Sequence, residues 1–387
     1  MLKKSEVTKK MDQAISILTR SFGPEGVYAG SGERYKHQYW TRDLCLALIP
    51  ALRIIDSTQT KNGSRQDMGL GFAELHLNNL LRRQGANGAI PILFSDFPEL
   101  VLKKIKRCPW DGKNLDVSGS FVLTRILNGI NGNADAFPEF DDFPGSWEGG
   151  LYRLTPGTTD SELLFAYAML QERRNCLQVD LAVDYLEKHY IRDGLHHGAD
   201  WRDTMEVFFR DKPLLTNNSL LYTVYQMMGE TEKAEALRQR IDEIFWTGKT
   251  YLDYPGSDRF DPLGASLAVL HGLVPPERYG AVIAGFESVD TYYGVTIKCR
   301  HTGFLPGEEE VINRTDGVVV WPFVVGFTAL ASWHIDKNFA MRQFEKLHKL
   351  DGFAEWYDPA DGSKHGEPEQ GWSAALYILA ADKFLNS

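Results

Sequence analysis

The chain has 387 residues, of which 43% are apolar and 24% charged, and its formal net charge is −10. These are the proportions of an ordinary folded globular protein. The acidic balance, with no Lys/Arg run long enough to neutralise phosphates, argues against nucleic acid as a partner and suits a neutral polar substrate.

The N-terminus is basic from Met1 to Lys10 and runs into Met11-Asp-Gln-Ala-Ile-Ser-Ile-Leu18, which is amphipathic rather than continuously apolar. It reads as a helix, not as a signal peptide. Helical periodicity covers residues 6–22, then a stretch after Thr41-Arg-Asp-Leu44, then 68–83, with a weaker segment at 117–130. Paired helices follow: 160–172 with 179–190, 214–228 with 230–246, 261–273 with 276–286, and 316–333 with 336–350; residues 370–385 close the chain. Val318 to Ala331 is the most apolar stretch. It is too short for a membrane span, which needs about 18–20 apolar residues, and reads as a buried helix. Strand signals are confined to 89–94 and 292–298.

Helical hairpins without the β-branched runs of an α/β sheet predict an all-α fold. The hairpins recur every 50 residues or so (about that period), which suggests a solenoid or its closed form. No repeat signature and no linker is visible, so the expectation is the closed form, an (α/α)6 barrel (a six-hairpin toroid), as one domain over 1–387. The Gly/Pro-rich insertions 128–156 and 251–261 read as loops over one mouth. Cys45, Cys108, Cys176 and Cys299 are scattered and read as reduced thiols, consistent with a cytoplasmic location and with no membrane partner. GxGxxG, Walker and GxSxG motifs are absent, which sets aside Rossmann hydride transfer, P-loop phosphoryl transfer and α/β-hydrolase chemistry. No cofactor is expected.

The chemistry-bearing clusters precede helices. In Tyr39-Trp-Thr-Arg-Asp43, Arg42 and Asp43 suit a fork for vicinal hydroxyls with Trp40 as a stacking wall; alternatively Asp43 is a helix N-cap. Asp160 reads equally as a helix cap or a sugar contact, whereas Glu148 and Glu162 read as surface. In His196-His-Gly-Ala-Asp-Trp-Arg-Asp-Thr-Met205, Asp200 and Asp203 flank Trp201, and their repulsion would hold one proton at neutral pH; the plain alternative is a surface pair. His196-His197 lack the partner spacing of a zinc helix, so no metal is expected. Asn313-Arg-Thr-Asp-Gly317 leads to Trp321-Pro322, as hydroxyl contacts or as a capped helix. Finally, Glu355 lies among Phe353, Trp356 and Tyr357, and Gln370-Gly-Trp-Ser373 opens the last helix. A carboxylate beside aromatic rings at a helix mouth suits sugar chemistry, because ring faces stack on sugars and carboxylates bind hydroxyls or move protons. The plain reading is an aromatic turn with a solvated Glu.

Taken in order, Tyr-Trp-Thr-Arg-Asp43, Asp-Trp-Arg-Asp-Thr-Met205 and Glu-Trp-Tyr-Asp-Pro359 with Gln-Gly-Trp-Ser-Ala374 resemble the inverting glycoside hydrolases with an (α/α)6 barrel. These include the amylo-α-1,6-glucosidase domain of glycogen debranching enzymes, the processing-glucosidase-like α-glycosidases, trehalase and the neutral invertases. The resemblance runs from about Trp40 to Ala381. It implies Asp203 as general acid and Glu355 as general base, with the two carboxyls roughly 6.5–9.5 Å apart. It further implies substrate contacts from Arg42 and Asp43 and, beside them, from Asp160, Trp321 and Trp372; Trp40, Asp200, Trp201, Tyr357 and Gln370 are candidate substrate contacts from their own clusters. The chain has Lys212-Pro-Leu-Leu-Thr-Asn-Asn218 where neutral invertases carry His-Pro-x-Glu-x-Gln, so the resemblance leans to the glucosidase branch. The implied activity is exo-cleavage of an α-glucosidic bond in a short oligosaccharide or small glycoside. A β-fructofuranosidase acting on sucrose is the alternative within the family. Outside it stand a sugar isomerase or epimerase using His196, His197, His301 or His365, and a non-catalytic glycan-binding barrel.

Overall fold

The computed structural model describes residues 2–33, 35–61, 68–91, 93–94, 159–202, 209, 211–299 and 309–387. The chain is mostly helical. In order come α1 (Lys4–Arg20), a first turn Thr41–Asp43 continued by a π-helical turn Leu44–Leu48 into α2 (Ile49–Lys61), α3 (Met68–Arg82), α4 (Ser161–Gln171), α5 (Leu177–His189), α6 (Leu215–Met228) and α7 (Thr231–Phe245). Then follow α8 (Pro262–Leu270), α9 (Tyr279–Ser288), α10 (Glu309–Thr315), α11 (Pro322–Ser332), α12 (Lys337–Lys349) and α13 (Gly371–Leu385). Among the described residues the strands are two-residue ribbons, paired antiparallel.

Two kinds of helix are distinguished by their chemistry. In α4, α8, α11 and α13 nearly every residue is buried, apolar and small polar side chains alike. A helix apolar all round has no face to give to water and must lie inside. The partner helices carry charge on one side. In α12, Phe339, Phe344 and Leu347 are buried while the lysines of the last turn face the carbonyl end of the helix dipole. Its N-terminus is capped by Asp336, whose Oδ1 accepts from Asn338 N (2.8 Å) and Phe339 N (3.1 Å), a device that stabilises by about 1 kcal/mol.

The packing order follows. The turn at residues 41–48 packs on α4, α4 on α6, α6 on α8, α8 on α11, α11 on α13, and α13 on α2, which returns to the start. Each of these inner elements has an outer companion: α3 on α2, α5 on α4, α7 on α6, α9 on α8, α12 on α11 and α1 on α13. Every large apolar side chain buried between the two sets contributes about 1.5–3 kcal/mol of transfer free energy.

The helix expected over 316–333 is two elements. Asp316 (φ 51°) and Gly317 (φ 71°) are both left-handed, and Gly317 N donates to Ile312 O (2.8 Å), closing α10 before the ribbon Val318–Val319. Pro322 at the first position of α11 then starts a new helix. The strand signal near 292–298 is likewise divided, into a hairpin (Asp290–Thr291 with Gly294–Val295) and Ile297–Lys298, which pairs with Val318–Val319. The expected helix at 117–130, the loop 128–156, Glu148 and Cys108 lie outside the described residues. Among the described residues no helix is long and apolar enough to cross a membrane.

Candidate functional site

Residues distant in sequence converge at the starts of the inner helices. Tyr39–Trp40 pair with Leu93–Phe94, and Thr41 Oγ1 donates to Pro91 O (2.6 Å), which fixes the turn that presents Arg42 and Asp43. The π-helical turn that follows is a backbone irregularity often found at functional sites. Both side chains are buried. Asp43 does not cap the helix: Trp40 occupies that position, and Asp43 Oδ1 accepts from Gln370 Nε2 (3.1 Å). Arg42 donates to the carbonyl of Trp201, lies 3.9 Å from Asp160 Oδ1, and sits 5.4 Å from the centre of the Trp40 ring. Asp160 stands at the N-terminus of α4 without a capping hydrogen bond from its side chain. Its neighbour Thr159 is tied to Ala199 O through its amide (2.9 Å), bringing residues 160 and 200 together.

The three tryptophans Trp201, Trp321 and Trp372 form one edge-to-face cluster with centroids 5.1, 5.9 and 5.6 Å apart, and Phe323 stacks on Trp372 at 4.2 Å. Edge-to-face packing satisfies the ring quadrupoles. The indole Nε1 atoms of Trp201 and Trp372 are buried and make no hydrogen bond among the described residues. A buried donor of this kind is available to a hydroxyl-bearing ligand.

Glu355 is buried as well. Its Oε1 accepts from Tyr35 Oη (2.9 Å) and its Oε2 from Glu367 N (2.9 Å), while its own amide donates to Glu367 O (2.8 Å). Gly366 (φ 72°) makes room: a Cβ there would lie 2.4 Å from Glu355 Oε2. The segment is bound to its neighbours by Gln370 N donating to Phe353 O (2.9 Å), Tyr357 N to Val320 O (2.8 Å) and Ser373 Oγ to Ala354 O (2.9 Å). Through these bonds Glu355, Trp321, Trp372 and Gln370 share one framework, and Gln370 carries it to Asp43.

Other anticipated residues take different places. Tyr357 is turned into its own loop, where its hydroxyl donates to Asp351 O (2.7 Å) and accepts from Ala354 N (3.0 Å). Asp200 is paired with Arg202, whose Nε donates to its Oδ1 (2.9 Å) and whose Nη2 donates to its Oδ2 (2.8 Å). Asp203 itself lies outside the described residues. Glu162, read from the sequence as surface, is fully buried, and its Oε1 accepts from Ile90 N (3.0 Å). His196 is buried, with Nε2 against Thr159 O (3.0 Å), and burial pulls its pKa down to about 4, so it stands neutral. No cluster of metal-ligating side chains occurs among the described residues.

Sequence reasoning missed Tyr35, Glu367, Arg202 and Asp253. Tyr35 and Glu367 carry no local signal, being joined to Glu355 only by the fold. Arg202 was visible as a cation between two aspartates, Asp200-Trp-Arg-Asp203.

No family model matches the chain, and no curated protein matches it. Solved structures do. A glycosidase variant in complex with glucose is similar over 100% of this chain and 99% of its own, at 12% identity and a TM-score of 0.60. The GH63 mannosylglycerate hydrolase from Thermus thermophilus, in complex with Tris, is similar over 95% of this chain and 99% of its own, at 14% identity and a TM-score of 0.55. An alpha-amylase from Clostridium perfringens is similar over 97% and 98%, at 11% identity and a TM-score of 0.51. At such identities the likeness is one of fold: this chain has the fold of these glycosidases.

Proposed function

We propose that the chain is an inverting glycoside hydrolase built as one (α/α)6 domain over residues 1–387, with Asp203 as general acid and Glu355 as general base. The observation that carries the reading is the convergence of a buried, hydrogen-bonded Glu355 with an indole cluster and the Arg42–Asp43–Asp160 group on one set of inner-helix starts. The cyclic packing order of six inner helices with six outer companions supports the barrel. In this reading Asp203 protonates the leaving oxygen as the glycosidic C–O bond breaks. Glu355 takes a proton from the water that attacks the anomeric carbon on the opposite face. Asp43, Asp160 and Gln370 hold glycone hydroxyls, the indoles supply a stacking floor and N–H donors, and the surrounding carboxylates favour the positive charge that develops on the ring.

The substrate is an α-glucosidic bond in a short oligosaccharide or small glycoside, cleaved from the non-reducing end. The motif resemblance and the glucose named in one structure of the same fold favour this choice. An isomerase would draw on the loop histidines, and the His196 ring is engaged at both nitrogens, Nε2 with Thr159 O (3.0 Å) and Nδ1 with Asn217 Nδ2 (3.4 Å). The test is a panel of α-glucosides, trehalose, sucrose, isomaltose and glucosylglycerate, read by glucose release and by proton NMR of the first-formed anomer. Wild type should release the inverted anomer, and Glu355→Gln and Asp203→Asn should release none. A retained anomer, or release that survives both substitutions, would sink the reading.

A further inference from the structure

Two distant pieces of chain meet beside Glu355. Glu369 bridges Phe353 on one side and Gln370 bridges Gly30 on the other, so this short segment lies between the loop that carries Glu355 and the turn Gly30-Ser-Gly32. Ser31 N donates to Glu369 O (3.1 Å), and Gly371 N donates to Ala29 O (2.7 Å). The two carboxylates of the segment have opposite surroundings. Glu369 is partly exposed and accepts from Arg20 Nη2 (2.7 Å) and from the Ser31 hydroxyl. Glu367 is 1% exposed.

The Glu367 side chain lies against the glycine turn. A Cβ at Gly32 would stand 1.9 Å from its Oε1 and 2.7 Å from its Cδ, and a Cβ at Gly30 would stand 3.1 Å from its Cγ. The carboxylate fills the space that side chains on the turn would need, which accounts for glycine at both positions. Beyond the turn, Lys36 N donates to Gly32 O (3.1 Å) and Gln38 N to Tyr35 O (3.0 Å), and Tyr35 Oη donates to Glu355 Oε1 (2.9 Å). From the other side the Glu367 amide donates to Glu355 Oε2 (2.9 Å). Both oxygens of Glu355 are thus held by groups that meet at Glu367: its own main chain, and a loop seated on its side chain. The terminal torsion of a glutamate is soft, so a carboxylate held at one oxygen swings; held at both, it keeps one direction for the proton it accepts.

We propose that Glu367 is a positioning residue for the reaction: its buried side chain seats the Gly30–Gly32 turn and, through that turn, sets the Tyr35 hydroxyl against the Glu355 carboxylate. The inference rests on the hydrolase reading above, with Glu355 as base. A residue that only packs lowers stability and leaves the effect of Tyr35→Phe on rate unaltered. A residue that acts through Tyr35 loses its effect on rate once the hydroxyl is gone.

The experiment is a double-mutant cycle in the full chain, read as kcat and KM for the best glycoside of the panel. Tyr35→Phe and Glu367→Ala should each lower kcat roughly ten- to a hundredfold with KM little changed. The double variant should stay within about threefold of Tyr35→Phe alone. Arg20→Gln is the control: it removes the exposed pair to Glu369 in the same segment and should leave kcat unchanged. If Glu367→Ala does not fold, as judged by circular dichroism, the same cycle with Glu367→Asp decides, since that change keeps the charge and withdraws the carboxylate from the turn by one methylene. Losses that multiply in the double variant, an unchanged kcat in the Glu367 variant, or an equal loss in Arg20→Gln overturn the proposal. A wild type that cleaves no glycoside, or a Glu355→Gln variant as active as wild type, overturns the hydrolase reading and this inference with it. That result is distinct from an active wild type whose two losses multiply.

Discussion

Gly366→Ala tests whether the position of Glu355 matters to activity, and Gly352→Ala is its control. Both glycines are left-handed, at φ 72° and 70°. Alanine pays a similar backbone penalty at each, about 1–2 kcal/mol. Their surroundings differ. A Cβ at Gly352 meets nothing within 4 Å, whereas one at Gly366 would stand 2.4 Å from Glu355 Oε2 and 2.7 Å from Glu355 Cβ. Ordinary contact begins at 3.4 Å, so the carboxylate must move by about 1 Å, straining the bonds it accepts from Tyr35 and Glu367 N. Displacement of a reacting group by that distance costs on the order of 10²-fold in rate. The assay is kcat for the best glycoside of the panel, with the thermal midpoint measured alongside. The two variants should lose similar stability, and Gly366→Ala alone should lose the rate. Equal kcat in the two variants would refute the assignment of Glu355 as the base.

Tyr35→Phe removes the hydroxyl donated to Glu355 Oε1; a charge-assisted bond of this kind is worth about 1.5–3 kcal/mol, so kcat should fall roughly ten- to a hundredfold, and an unchanged kcat speaks against the contact. His196 has a folded pKa of about 4 against an ordinary value of 6.5, so protonation favours the unfolded chain. Its stability contribution is present above pH 6.5 and is lost as pH falls through 6.5 towards 4, amounting to about 3 kcal/mol, and urea midpoints across that window should drop less steeply in His196→Gln. Asp261 has the opposite sign: raised to about 7 by burial and then by the Asp253 charge, its contribution is present below pH 3.8 and is lost as pH climbs through 7. Asp261→Asn should therefore gain stability relative to wild type at pH 8 compared with pH 5; an equal difference at both pH values contradicts a protonated Asp261.

The sequence by itself determined the elements and where the polar-aromatic clusters sit along them. Apolar period and starting residues are local properties, so α4, α6, α7, α12 and α13 fall within a residue or two of the expected spans. It failed where a local signal was two-sided. The apolar run through 318–331 conceals the break at Asp316-Gly317, because the break is made by backbone conformation and not by hydropathy. Tertiary structure alone decided partners. Glu162 reads as a solvated helix-start acid until Ile90 is brought over it, and Asp200 reads as a free acid until the loop carrying Asp253 returns to share Arg202 with it. Tyr35 and Glu355 meet only because α13 packs between α1 and α2. Burial and charge pairing depend on which surfaces close on each other. That is a property of the folded chain as a whole, and it has no period for a sequence to display.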